Sequence, residues 1–338
     1  MTTAETRARG SSDAEADVDT NAEPAGSEEP AINVRGLRMS YGSYEAVRGI
    51  DLEVTRGEIL AFLGPNGAGK TTTTEILEGF RVRTAGDVRV LGTDPAEAGP
   101  EWRARIGVVL QTNAPERLLT VRECLTMYAG YYPRPLPVDR VLELTGLTEK
   151  ADSRCDQLSG GQQRRLDVAL ALIGDPELIF LDEPTTGFDP TARRMAWDVI
   201  SGLRDLGKTV FLTTHFMDEA EALADRIMIL AAGQIVASGT PQTIGGRDGD
   251  TTEISFRLPA GMTAVQLPQL PQLPSLLEQQ ARADGRVEMT VQEPVPALNA
   301  LTAWAMANEV PLAGLTVHRP SLEDIYLRLT AENTGGSR

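Results

Sequence analysis

Gly64-Pro-Asn-Gly-Ala-Gly-Lys70-Thr71 has the spacing G-x-x-x-x-G-K-[ST], and that spacing suits one kind of chemistry, the binding of a phosphate chain. Gly64, Gly67 and Gly69, with Pro65, Asn66 and Ala68 between them, let backbone N–H groups turn inward around phosphate oxygens, and Lys70 adds a full positive charge. Thr71 is the expected hydroxyl ligand of Mg²⁺, with Thr72 beside it in the nucleotide-binding set. A second group of residues supplies acids. Leu178-Ile-Phe-Leu-Asp182-Glu183-Pro184 is an apolar run ending in two carboxylates, and their roles should differ. Asp182 is expected to hold Mg²⁺ through its water shell, and Glu183 to polarise the water that attacks the γ-phosphate. The third group is Leu158-Ser159-Gly160-Gly161-Gln162, at the head of a helical run that continues to Leu172. Ser159 reads as the cap of that helix, whose N-terminus forms a second anion site. Taken singly, these segments could be a tight connection, a solvated turn and a plain loop. Their occurrence together in one chain favours the chemistry.

The elements around them must place the loop between a strand and a helix. Glu58-Ile-Leu-Ala-Phe-Leu63 reads as a buried strand, and Thr71 to Phe80 as the helix leaving the loop, an order that aims a helix N-terminus at the phosphates. Further strands are expected over Glu45 to Val54, Ile106 to Leu110, Leu178 to Leu181, Thr209 to Thr213 and Arg226 to Leu230, with a helical region between Ala151 and Gly174. Alternation of this kind implies an α/β layer architecture. The texture changes after Gly239. A linker over 241–252 contains Gly245-Gly-Arg-Asp-Gly-Asp250, and a small α+β unit is expected over 253–331. Within it, Leu267-Pro-Gln-Leu-Pro-Gln-Leu-Pro274 reads as an extended connector, because its prolines lack amide donors. Strands follow at Glu253 to Leu258, Arg286 to Val291 and Leu315 to Arg319, with helices at Ala297 to Asn308 and from Ser321. Residues 332–338 are expected to be a short tail.

Composition narrows the function. A chain of 338 residues suits two domains and a core of ordinary size. The net charge of −16, without a clustered basic face, disfavours nucleic acid as a partner. Residues 1–31 are acid-rich, read as a disordered tail, and lack the apolar stretch of a secretory signal. Cys124 and Cys155 have neither metal-ligand nor redox spacing and read as buried, idle thiols. Apolar runs such as Val168 to Ile173 fall well short of the roughly 20 residues that a spanning helix needs. The chain is therefore expected not to cross a membrane by itself.

The motifs in this order resemble the ATP-binding subunit of an ABC transporter, over about Ile32 to Gly239. The residues carrying the resemblance are the phosphate loop (64–71), Gln111 of the Q-loop, the signature LSGGQ (158–162), the Walker B strand with Asp182 and Glu183, the D-loop ending in Phe188-Asp189, and His215. The resemblance implies a P-loop NTPase domain over 32–240 with a helical signature subdomain. It implies that Tyr41 stacks on adenine, that His215 contacts the γ-phosphate, and that Gln111 reaches the metal and the attacking water. It also implies that Ser159, Gly160, Gly161 and Gln162 of one subunit cap the ATP held by another, so that two copies sandwich two ATP molecules. Catalysis is then expected from Glu183, His215, Gln111 and Lys70, and metal binding from Thr71, Gln111 and Asp182. The cofactors implied are ATP and Mg²⁺, and the partners are a second copy of the chain and a separate transmembrane permease. The location implied is peripheral, on the cytoplasmic face of the cell membrane.

Phe188 stands where leucine is commoner in the D-loop. Near the C-terminus, His318-Arg-Pro-Ser-Leu-Glu-Asp-Ile-Tyr-Leu resembles the "PSLEDxFL" ending of the drug-resistance and antibiotic-export (daunorubicin-resistance-like) branch, with Tyr326 in place of phenylalanine. Ser321 is expected to cap a helix whose Leu322, Ile325, Tyr326 and Leu329 share one face. A subunit powering an ABC-2 type exporter of drug, antibiotic or lipid-like molecules is the leading expectation. A soluble ABC ATPase in assembly, repair or translation, and an importer subunit, are the alternatives.

Overall fold

Ile59-Leu-Ala-Phe-Leu63 contains no polar side chain, so a strand made of it needs cover on both faces. In the computed structural model, which describes residues 29–109, 116–246, 251–259, 276–281, 285–318 and 321–334, it has that cover. After β1 (Ile32–Tyr41) and β2 (Tyr44–Val54), this run forms β3 (Ile59–Leu63), buried along its whole length. It lies inside a six-stranded sheet. The strand order is β5 (Ile106–Val109), β6 (Leu178–Asp182), β7 (Thr209–Thr214), β3, β8 (Arg226–Ala231) and β9 (Gln234–Gly239). The first five run parallel and β9 closes one edge antiparallel. Phe62, Phe180 and Phe211 meet on one face of this sheet, with ring centroids 5.4 Å and 5.7 Å apart.

A parallel sheet brings the carboxyl ends of its strands to one rim, and ligands bind there. β3 delivers the glycine loop to that rim, β6 delivers Asp182, and β7 delivers His215. From the loop springs α1 (Lys70–Leu77), one residue earlier than the sequence implies and ending before Phe80. On one side, β1, β2 and β4 (Ala85–Val90) make a three-stranded antiparallel sheet, with β1 in the middle. Neither β1 nor β4 is legible as a strand in the sequence. Irregular register beside Gly36 breaks the alternation of β1, and a Cβ on Gly86 would lie 2.5 Å from the Gly36 carbonyl oxygen.

Helices α2 (Pro100–Arg103), α3 (Val121–Ala129) and α4 (Val138–Leu144) precede α5 (Gly160–Leu172). The last three share a separate core of Val121, Cys124, Leu125, Leu142, Leu166 and Ala169. Burial pushes the Cys124 thiol up to about 12, which keeps it inert, as expected for an idle thiol. Next come α6 (Pro190–Asp205), capped by Asp189, and α7 (Met217–Leu223).

The C-terminal strands form their own antiparallel sheet in the order β11 (Leu276–Ala281), β12 (Arg286–Val291), β10 (Thr252–Arg257) and β13 (Ala313–His318). The helix α8 (Pro294–Ala307) covers one face, where Ala297 and Leu301 join Ile254, Phe256 and Met289. The final helix, α9 (Leu322–Thr334), leaves this sheet and packs on the nucleotide-binding layer instead. Its Ser321 cap forms as expected. The Ser321 hydroxyl accepts from the Asp324 amide at 3.1 Å, and the Asp324 carboxylate accepts from the Ser321 amide at 2.9 Å.

Several boundaries differ from the sequence reading. Ala31 is fully buried, so the packed chain starts inside the stretch read as tail, while residues 1–28 lie outside the described residues. The linker is partly packed, because Ile244 is fully buried against α7 and β8 neighbours. The helix α9 runs through Thr334, beyond the expected end at 331. β11 has no counterpart in the sequence reading, since Leu276-Leu-Glu-Gln-Gln-Ala281 is extended only through its pairing with β12. The expected connector at 267–274 lies outside the described residues.

Candidate nucleotide site

The loop after β3 runs against neighbouring backbone closely enough to leave no space for a side chain at Gly64 or Gly69. A Cβ on Gly64 would stand 2.4 Å from the Leu230 carbonyl oxygen, and one on Gly69 would stand 2.6 Å from that of Ala46. Gly69 also has φ +106, a backbone region that L side chains rarely adopt. With its side chain buried, Ala68 is the loop residue whose contribution is main-chain: its amide donates to the Pro65 carbonyl at 3.1 Å and its carbonyl accepts from Gly233 at 3.0 Å. Lys70 is 7% exposed, and its Nζ donates to the Gly64 carbonyl at 2.5 Å and to that of Pro65 at 3.3 Å. Burial lowers its pKa, opposed by the nearby charges of Glu183 and Asp182.

Around the loop lies a cavity of about 610 Å³, lined by Tyr41, Tyr44, Ala46, Gly64, Pro65, Asn66, Gly67, Gly69, Lys70, Thr71, Thr72, Asp182, Glu183, His215 and Tyr326. Most of the expected residues therefore converge. Asp182 accepts a hydrogen bond from the Thr213 hydroxyl of the adjacent strand. The Glu183 carboxylate accepts from the Thr186 hydroxyl at 3.1 Å, and its Oε1 lies 3.2 Å from Nδ1 of His215. Glu183 stands at φ +45, and its amide donates to the Thr213 carbonyl at 3.0 Å. A residue held in that unfavourable backbone region by its neighbours is a common sign of a working site. The Tyr41 hydroxyl pairs with Thr72 Oγ1 at 3.4 Å, and the Arg81 guanidinium lies 5.3 Å from the Tyr41 ring centroid.

Ser159, Gly160, Gly161 and Gln162 stand elsewhere. They begin α5 with the expected cap: the Gln162 amide donates to Ser159 Oγ at 3.4 Å, and the Ser159 amide donates to Gln162 Oε1 at 3.0 Å. None of the four lines the cavity. Gln111 lies outside the described residues.

Some neighbours escaped the sequence reading. Tyr44, Ala46 and Tyr326 line the cavity, but no spacing rule marks them. Arg164 is 8% exposed on α5, and its guanidinium donates to the Pro184 carbonyl at 3.0 Å and the Asp182 carbonyl at 2.9 Å. An arginine on the inner face of a helix is the signal that could have found it, since a buried charge needs partners. Burial lowers its pKa, with Asp167 opposing the shift.

Glu78 closes α1 from below and is 6% exposed. Burial, then the charges of Asp182 and Glu75, push its pKa from 4.5 up to about 8. An acid whose pKa is raised by folding adds nothing to pH dependence below its unfolded value. Stability then falls as pH rises from about 4.5 to about 8 and levels off above that. Glu78→Gln is thus expected to match the parent at pH 4.5 and to exceed it by roughly 1–3 kcal/mol at pH 8.5. Urea melts at the two pH values check this, and an equal offset at both would remove the assignment.

A parallel-sheet strand leading into a G-x-x-x-x-G-K-T loop, with an acid-ended strand two places along the same rim, defines a P-loop nucleotide-binding domain. Residues 47–186 match the family described as ABC transporter, and 252–321 match the C-terminal domain of ABC transporter domain-containing protein-like chains. The Nod factor export ATP-binding protein I of Ralstonia nicotianae is 36% identical over 312 residues, covering 89% of this chain and 94% of its own length. That of Rhizobium sp. strain N33 is 37% identical, covering 89% and 97%. A solved ATP-binding subunit of an ABC transporter is 27% identical with TM-score 0.56, covering 63% of this chain and 90% of that one. An ATP-binding cassette solved as a dimer in a post-hydrolysis state, bound to ADP and Pi, is 25% identical with TM-score 0.55, covering 62% and 98%. The chain belongs to the ABC transporter family, as an ATP-binding, ATP-hydrolysing subunit.

Proposed function

We propose that this chain drives a membrane exporter, two copies closing on two ATP molecules beneath a separate permease. The observation that carries the reading is the separation of the two anion sites. Lys70 lines the cavity, whereas the Ser159 cap of α5 stands outside its lining, so a second copy is needed to bring a signature to each phosphate chain. The dimeric ATP-binding cassette among the solved relatives supports that arrangement.

Within each half-site, the loop amides from Gly64 to Thr72 and the Lys70 ammonium bind the phosphates, and Tyr41 stacks on adenine. Thr71 and Asp182 offer the hard oxygen ligands that Mg²⁺ takes, and the donor set fits that ion, which would neutralise phosphate charge. Glu183, beside His215, polarises the water that attacks the γ-phosphorus as the bond to the bridging oxygen breaks. His215 steadies the γ-phosphate. Gln111 completes the set as the residue reaching the metal, the attacking water and the permease, on the strength of the motif order.

Export, rather than import, is supported by the relatives, which are export ATP-binding proteins, and by the PSLEDIYL segment at 320–327. The cargo proposed is a drug, antibiotic or lipid-like molecule. Attachment to the cytoplasmic face of the membrane would be peripheral, and among the described residues no helix is long and apolar enough to cross a membrane. The test is fractionation with and without the co-expressed permease. The chain is expected to pellet with membranes only when the permease is present, and an unchanged distribution counts against the exporter reading.

A further inference from the structure

The face of the C-terminal sheet turned away from α8 carries a charge arrangement that costs the fold stability. Ile254 and Phe256 point into the core beneath α8, so Ser255 and Arg257 of β10 point to the opposite face. Arg257 pairs in register with Arg286 of β12, which sets two guanidinium groups side by side on that face. Like charges directly opposite each other in a sheet are destabilising. Arg286 is balanced by Glu288, whose Oε1 lies 3.2 Å from its Nε. The Arg257 side chain has no hydrogen bond or ion pair among the described residues, so the surplus positive charge is its own.

An open cavity of about 310 Å³ lies there, and its lining includes both arginines, Ser255, Thr316 and Gly314. A bulge in the β10–β13 pairing makes room for it. Ser255 faces Thr316 and Arg257 faces Ala313, so Gly314 and Leu315 together stand opposite Phe256. Gly314 takes φ +65, and nothing lies within 4 Å of where its Cβ would be. Ser255 is 2% exposed, its Oγ lies 2.8 Å from Thr316 Oγ1, and Arg286 Nη2 donates to it at 3.4 Å. Two hydroxyls carry two hydrogens and share one bond, so the second hydrogen is left for an acceptor outside the pair.

A guanidinium without a partner, a second positive charge beside it and a hydroxyl hydrogen around one space match an anion with several acceptor oxygens. We propose that this cavity binds the phosphate group of a small organic phosphate ester, with Arg257 holding its oxygens, Arg286 adding positive charge and the Ser255–Thr316 pair donating one further hydrogen bond. The volume lies at the lower end of the range of small-ligand pockets, which suits a phosphate carrying a compact organic group. Binding offsets the repulsion between the two arginines and so stabilises the C-terminal sheet, a different sheet from the one that carries the glycine loop. The ester comes either free in solution or as a lipid headgroup.

The test compares the full chain as wild type, Arg257→Gln and Arg257→Lys by equilibrium titration and thermal melting, with saturating ADP present throughout to occupy the glycine loop. The probes are phenyl phosphate and, separately, phosphatidylcholine vesicles containing phosphatidic acid. Phenyl phosphate is expected to raise the wild-type Tm and to bind Arg257→Gln at least about tenfold more weakly, the effect of losing one charge-assisted hydrogen bond. Arg257→Lys, which keeps the charge, is expected to retain part of the binding. Without phosphate, Arg257→Gln is expected to melt no lower than the wild type, because the like-charge pair is gone. Arg257-dependent binding of phenyl phosphate alone assigns a free ester, and Arg257-dependent pelleting with the vesicles assigns a lipid headgroup. Equal binding of both probes by the wild type and Arg257→Gln overturns the proposal, as does no binding of either probe by the wild type. A lower Tm for Arg257→Gln without phosphate also overturns it, by giving the arginine a structural role.

Discussion

Glu183→Gln is expected to lower ATP turnover about 10²- to 10⁴-fold, the range over which a positioned general base contributes, while leaving ATP binding intact. The reason is local. The carboxylate sits beside His215 and Thr186 in the cavity wall, and the loop amides and Lys70, to which phosphate binding is assigned in the proposal, are separate groups. Glutamine keeps the shape and loses the charge that polarises water. Hydrolysis is also what would reopen the closed pair, so the variant should accumulate as an ATP-dependent dimer. Steady-state phosphate release together with size-exclusion chromatography, with and without ATP, reads both effects. Normal turnover in Glu183→Gln would remove this residue from catalysis. Lost turnover without ATP-dependent dimerisation would keep the catalytic role and sink the two-copy sandwich.

Lys70→Met is expected to weaken ATP binding by about 10- to 100-fold, as the loss of a charge-assisted hydrogen bond implies. The lysine is 7% exposed and its burial already disfavours the charge. Its ammonium is held by the carbonyls of Gly64 and Pro65 and by the field of Asp182 and Glu183. Methionine fills similar space without that cost, so Tm should hold or rise while affinity falls. Titration with fluorescent nucleotide and a thermal melt separate the two quantities. Affinity equal to the wild type would show that the loop amides alone bind the phosphates. A large drop in Tm would mean that the charge serves the fold.

The two variants divide the site into parts that bind and parts that act, a division drawn by three strand ends on one rim. β3 brings Lys70, β6 brings Asp182 and Glu183, and β7 brings His215. Their convergence follows from the parallel order, in which β7 lies between β6 and β3. Arg164 strengthens the join, because its guanidinium ties α5 to the backbone on both sides of Glu183. A displacement of α5 is therefore expected to move Glu183 within the same chain.

By itself, the sequence determined the elements whose rules are local. The loop at 64–71 follows from glycine's backbone freedom, the strand at 59–63 from an unbroken apolar run, and the caps at Ser159 and Ser321 from a hydroxyl three residues ahead of Gln162 and Asp324. Tertiary structure decided everything that depends on distant partners. β11 is a strand because β12 pairs with it, Arg164 is buried because Asp182 and Pro184 offer carbonyls, and β1 hides its alternation behind irregular register. The entry of Tyr326 into the nucleotide cavity is the furthest of these. It requires α9 to leave its own sheet and settle on Leu63, Ala220 and Ile229. Local spacing records which residues can form a helix face, but which surface that face meets is set by burial across the whole chain.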